Sequence, residues 1–121
     1  MKTEPEEAAL FRTECLRWQQ AFGLIDWIIH IKVEKATPDQ QHEAETDLDC
    51  ETRYATITYN MGVEDAMHPS DVAYHEICHL LLADVIWCAL HVRGSEPESD
   101  KQLGIEEHKA IMRLHAARGI K

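Results

Sequence analysis

The sequence predicts one α+β domain over residues 1–121, with elements in the order α-β-β-β-α-α. Apolar residues recur at helical spacing near both ends of the chain, and they alternate with polar residues in two central segments. Neither a linker-like stretch nor an internal repeat divides the sequence. A chain of 121 residues can bury about two thirds of its surface, so a hydrophobic core can form without disulfides.

One apolar stripe predicts the first helix. Its members are spaced at i, i+4, i+7 and i+11, and they are Phe11, Cys15, Trp18 and Phe22. Thr3 and Glu6 fit a capping box at the start of this helix, and Gly23 is placed to end it.

Alternating segments predict a small, mostly antiparallel sheet. Trp27–Glu34 forms the first strand, and Tyr54–Asn60 forms a second with Ala55, Ile57 and Tyr59 on one face. We expect Ala44–Leu48 to pair with the latter through a turn near Cys50.

Two more helices are predicted in the C-terminal half. Ser70 or Asp71 caps a long apolar helix, Asp71–Val92, in which Trp87 is expected to belong to the core. A charged loop, Ser95–Gly104, follows, and the last helix is predicted over Ile105–Arg118.

The charge balance excludes some classes of partner. Asp and Glu number 22 against 12 Lys and Arg, a net charge of -10. This field opposes binding to nucleic acids and to anionic membranes. The longest apolar stretch, Ile77–Val92, contains two histidines and an aspartate and is a poor membrane span. With no secretory signal and no C-x-x-C pair, we expect a cytoplasmic protein.

The sequence His75-Glu76-Ile77-Cys78-His79 carries the chemistry, because it is an H-E-x-x-H motif on a predicted helix. His75 and His79 lie about 40° apart around the axis and one turn along it, which suits a single Zn²⁺. Zinc lowers the pKa of a bound water to about 7, and Glu76 would take its proton as the water attacks a carbonyl. The alternative is a helix whose motif residues face solvent.

A catalytic zinc needs a third protein ligand. Glu107 is the first candidate, because it shares a helix face with the apolar residues Ile111 and Leu114. Glu106, His108 and His91 are the alternatives. Candidates to stabilise an oxyanion are Tyr59, His91 and His108, whereas His30, His42, His68 and His115 are expected on the surface or in loops.

His75-Glu76-x-x-His79 followed by a Glu on a later helix resembles the gluzincin arrangement. The whole chain resembles small, often phage-encoded, zinc metallopeptidase-like proteins of the ImmA/IrrE sort. The shared features are a Trp-containing first helix, the strand Ala55–Thr58 before the motif helix, and a later helix with Glu106-Glu107-His108. The resemblance implies a zincin-like fold in which Ala55–Asn60 is an edge strand that binds peptides by adding a strand to the sheet.

The leading hypothesis is a zinc-dependent metallopeptidase that acts on a peptide or protein substrate. His75, His79 and Glu107 would hold Zn²⁺, and Glu76 would be the general base. Two zinc-binding alternatives are a non-peptidase hydrolase and a catalytically silent binding module, and a further one is a domain without metal. The sequence leaves the natural substrate and the oligomeric state open.

Overall fold

The computed structural model describes residues 5–40, 42–64, 66–92 and 97–118, and for 90–92 and 97–100 only the course of the backbone. Within these ranges the predicted α+β order is confirmed. The elements are α1 (Glu6–Ala21), β1 (Ile28–Lys35), β2 (Ala44–Asp49), β3 (Tyr54–Met61), α2 (Pro69–Val92) and α3 (Pro97–Arg118).

The first helix begins and ends close to the predicted positions. The carbonyl oxygen of Pro5 accepts the backbone N–H of Ala8 at 3.1 Å, and no side chain caps the helix. Thr3 of the predicted capping box lies outside the described residues. Gly23 has φ +71°, the left-handed conformation that suits the residue after a helix. The inward stripe is confirmed, since Phe11 and Cys15 are buried.

The sheet is mixed, which corrects the prediction of a mostly antiparallel one. Its strand order is β1-β3-β2, with β1 parallel and β2 antiparallel to β3, so the β2–β3 hairpin is confirmed. The expectation that Ala55–Asn60 forms an edge strand was wrong, because β3 is central and β2 is an edge. Alternation in a sequence assigns faces to a strand but not the direction of its neighbour.

The helices are stacked on one side of the sheet. Residues of α1, β3 and α2 share the main core, which includes Phe11, Ala55, Ile57, Ala73, Ile77 and Leu80. A second cluster joins α2 to α3 through Tyr74, Cys78 and Ile111. Trp87 was predicted in the core but is 38% exposed, because it borders a cavity beside the edge strand β2.

Both C-terminal helices begin earlier than predicted. α2 begins at Pro69, and His68 rather than Ser70 or Asp71 precedes it, with its Nδ1 accepting the Ser70 N–H at 3.2 Å. The predicted loop Ser95–Gly104 is helical from Pro97 onwards. Proline is favoured at the first helical position and acidic residues in the first turn, which explains a start in this charged segment.

One helix stands out for its hydropathy. By length and composition alone, Pro69–Ala89 is apolar enough to cross a membrane. Of this stretch, 44% is buried inside the fold, and the core helix of a soluble protein can have the same length and composition.

Candidate metal centre

The motif residues lie together on one side of α2. His75, Glu76 and His79 each offer a ligand atom, and these atoms all lie within 4.8 Å of one another. Residues at i and i+4 meet because one helical turn is 3.6 residues. Cys78, between the two motif histidines in sequence, is fully buried toward α3 and does not line the motif cavities.

Glu76 is a buried carboxylate with a specific partner. Its side chain is 5% exposed, and its Oε1 accepts a hydrogen bond of 3.0 Å from the hydroxyl of Thr46 on β2. Burial raises the pKa of Glu76, and the positive charge of His79 and the Thr46 hydrogen bond only partly offset that rise. A carboxylate with a raised pKa is a stronger base for a proton that it must collect near neutral pH.

The last helix is fixed beside the motif by packing and by one hydrogen bond. Ile111 is fully buried against α2, and the hydroxyl of Tyr74 donates to the carbonyl oxygen of Leu114 at 3.0 Å. This docking brings Glu107 and His108 to the motif.

Glu107 contacts the second motif histidine directly. Its Oε2 lies 3.0 Å from Nδ1 of His79. An ionised carboxylate only accepts, so Nδ1 of His79 carries the shared proton. Burial lowers the pKa of His79, but the hydrogen bond to Glu107 and the negative charges of Glu76 and Glu107 outweigh burial and leave that pKa raised.

His75 lies among three other imidazoles. Its ring centroid is 5.2 Å from that of His79, 5.5 Å from that of His115 and 5.7 Å from that of His108. Burial, followed by repulsion from these neighbours, lowers the pKa of His75 to about 4. The ring is therefore neutral at neutral pH, which is the form that binds metals.

Two adjoining cavities open onto the motif. Their volumes are about 560 and 770 Å³, and both are lined by His42, Ala44, His75, Glu76 and His108. The first continues past apolar Met67, Val72 and Met112, and the second runs along β2 toward Trp87. The edge strand β2 and helix α3 thus border a cleft over the motif.

Several predicted candidates lie elsewhere. Glu106 bonds to Gln102 and Lys109 on the surface of α3. The Tyr59 hydroxyl donates to Glu7 of α1 at 3.1 Å and does not line the motif cavities. The side chain of His91 lies outside the described residues.

Three residues of this region were not predicted to belong to it. His115 was expected on the surface or in a loop, but it packs on Tyr74 and lines the first cavity. His115 follows His108 by seven residues, or about two helical turns. This spacing places the two residues on one helix face and could have indicated that His115 lies near the site. Thr46 lies on the same face of β2 as Ala44 and Leu48, but nothing in that pattern indicates a bond to Glu76. His42 is a loop residue whose place in the cleft has no sequence signal.

The donor set suits a zinc ion. Ligand atoms around a tetrahedral zinc lie about 3.3 Å apart, and imidazole nitrogen and carboxylate oxygen are common zinc ligands. The spacing of 4.8 Å or less within the motif needs only small side-chain rotations to reach that value. A potential metal site is therefore present, formed by His75, Glu76 and His79.

Comparison with known proteins gives no relative: no family model, curated protein or solved structure matches the chain. The resemblance to ImmA/IrrE-like proteins accordingly rests on the motif and its sequence context alone.

Proposed function

We propose that the chain is a zinc-dependent metallopeptidase of the gluzincin type, with a minimal zincin-like fold. The observation that carries this proposal is the convergence of ligand atoms from His75, Glu76 and His79 beside an open cleft. His75 and His79 would hold the ion with Glu107. Metal binding needs deprotonated ligands, so His79 and Glu107 would give up the proton that they share.

The roles of the side chains follow from their surroundings. When bound, zinc would supply a Lewis acid that polarises the scissile carbonyl and makes water more acidic. Glu76 accepts the proton of the attacking water as the new C–O bond forms. It then returns that proton to the amide nitrogen as the C–N bond breaks, and this yields a carboxylic acid and an amine.

In this proposal, a peptide substrate binds along the strand β2. This strand is a sheet edge and lines the second cavity along most of its length. An extended peptide can add to such an edge through main-chain hydrogen bonds, with alternate side chains entering pockets. A phage origin, a cytoplasmic location and the exclusion of nucleic-acid and membrane partners stay predictions from the sequence.

The test combines metal analysis with one isosteric variant. Untagged, gel-filtered protein is expected to bind about one zinc per chain, and Glu76→Gln is expected to bind zinc equally well. Zinc-loaded wild type should cleave members of a panel of unfolded proteins, and Glu76→Gln should be slower by about 100-fold to 10,000-fold.

Each other outcome selects a different function. Failure to bind zinc at neutral pH contradicts the proposal. Zinc binding with hydrolysis of small esters but not of peptides indicates a non-peptidase hydrolase. Zinc binding without any hydrolysis, together with a rise in melting temperature on adding zinc, indicates a zinc-stabilised binding module.

A further inference from the structure

We propose that Thr46 is a positioning residue that holds the Glu76 carboxylate in its working orientation. This inference rests on the proposed hydrolytic function. Thr46 is on β2 and Glu76 is on α2, thirty residues later in the chain, and their side chains form a 3.0 Å hydrogen bond.

Thr46 places a hydroxyl on the face of the edge strand β2 that is directed toward the core. On β2 it shares a face with Ala44 and Leu48, and its register partner on β3 is Ile57, which is fully buried. Directly paired residues project from the same face of a sheet. A valine would fill this position equally well, so packing alone does not explain a threonine here.

The Thr46 hydroxyl restricts the side chain of Glu76, which would otherwise be free to rotate. A glutamate side chain has three rotatable bonds, and a buried carboxylate without a partner is costly. The Thr46 bond occupies Oε1 and leaves Oε2 available to accept the proton of the attacking water. Because β2 is held by its ladder to β3, the orientation of Glu76 is fixed by the sheet rather than by its own helix.

The test compares Thr46→Val, which removes the hydroxyl and keeps the shape, with Thr46→Ser, which keeps the hydroxyl. In zinc-loaded protein we expect Thr46→Val to lower kcat by about 10-fold to 100-fold, with KM and zinc content unchanged. Thr46→Ser should restore most of kcat. Thr58→Val is the matched control, because Thr58 lies on the other face of the sheet and is outside the motif cavities.

A second measurement needs neither zinc nor activity. In metal-free protein, a double-mutant cycle compares Thr46→Val in the wild type with Thr46→Val in the Glu76→Leu background. We expect the unfolding equilibrium constant to rise about 10-fold in the wild type and to change by less than about 3-fold in the Glu76→Leu background.

The outcomes separate this inference from the proposed function. An active wild type with full kcat in Thr46→Val, or equal effects in both backgrounds of the cycle, overturns the role of Thr46 and leaves the hydrolase intact. A fall in kcat/KM together with a loss of bound zinc also overturns it, because that pattern indicates a role in metal binding. A wild type that hydrolyses nothing overturns both.

Discussion

Oε2 of Glu107 lies 3.0 Å from Nδ1 of His79, although the two residues are 28 positions apart and on different helices. Glu107 is 19% exposed at its side chain, and its neighbour Glu106 is 52% exposed. Two adjacent glutamates on α3 thus differ in their relation to the motif, and this difference allows a matched comparison.

We expect Glu107→Ala to weaken zinc binding by about 100-fold or more, because it removes a proposed ligand and also the partner of His79. Glu106→Ala should change zinc affinity by less than about 3-fold, since Glu106 bonds to Gln102 and Lys109 on the surface of its own helix. Competition with a chromophoric chelator measures both affinities.

His108→Ala is the informative third variant for the same measurement. A larger loss of zinc affinity in His108→Ala than in Glu107→Ala would contradict the proposed ligand set. His108 would then complete the site, and Glu107 would serve only to orient His79 through Nδ1.

Glu76→Gln is expected to stabilise the metal-free protein. Burial raises the pKa of Glu76 above its ordinary value, so at pH 7 the ionised form disfavours the folded state. Glutamine keeps the shape and can still accept the Thr46 hydrogen bond. We expect a gain of about 1 kcal/mol, or about 4 °C in melting temperature at pH 7.

The pH dependence of this stability difference provides a further check on its cause. The difference between wild type and Glu76→Gln should shrink as the pH falls through the raised pKa of Glu76, because protonation also neutralises the wild-type side chain. Glu51→Gln, at an exposed position in the turn between β2 and β3, is the control and should not change the melting temperature. An equal or lower melting temperature for Glu76→Gln at pH 7 would refute the expectation.

Local periodicity accounts for what was predicted correctly. The stripe through Phe11 and Cys15 and the alternation through Ala55 and Ile57 are properties of single segments, and both are buried as expected. The spacing of His75 and His79 within one helix likewise fixes their proximity.

The sequence patterns did not predict how different segments pack against one another. The parallel direction of β1 next to β3 depends on the connection between them, which alternation does not reveal. The Thr46–Glu76 bond and the position of His115 depend on how β2 and α3 pack against α2. The early start of α3 was missed because a charged segment with Pro97 was interpreted as a loop.

Tyr74→Phe should loosen the attachment of α3 to α2. Loss of the hydroxyl leaves the Leu114 carbonyl without this donor, which costs about 1 kcal/mol of unfolding free energy. Because α3 carries Glu107 and His108, zinc affinity should fall as well. Urea unfolding and chelator competition measure the two effects, and Tyr54→Phe on the open face of the sheet is the control.

The zinc measurement decides the meaning of the Tyr74 result. Lower stability with unchanged zinc affinity would show that the position of α3 does not contribute to the site. Lower stability together with lower affinity supports the proposed participation of α3.

The pH dependence of stability should contain a contribution from His75. Its pKa is about 4 in the folded metal-free protein, against an ordinary value of about 6.5. Between these values the unfolded chain binds more protons at this site, so unfolding becomes easier as the pH falls from 6.5 toward 4. After discounting for solvent screening of a half-buried ring, we expect a loss of about 1 to 2 kcal/mol across that range.

Comparison with His75→Asn isolates this contribution. Glu76 and His79 titrate in both proteins, so their effects on stability largely cancel in the difference between the two unfolding curves. The wild type should lose stability relative to His75→Asn as the pH falls from 6.5 to 4, whereas His30→Asn, at an exposed position on β1, should follow the wild type. A constant difference between wild type and His75→Asn across this range would mean that His75 is not held neutral by burial and its neighbouring imidazoles.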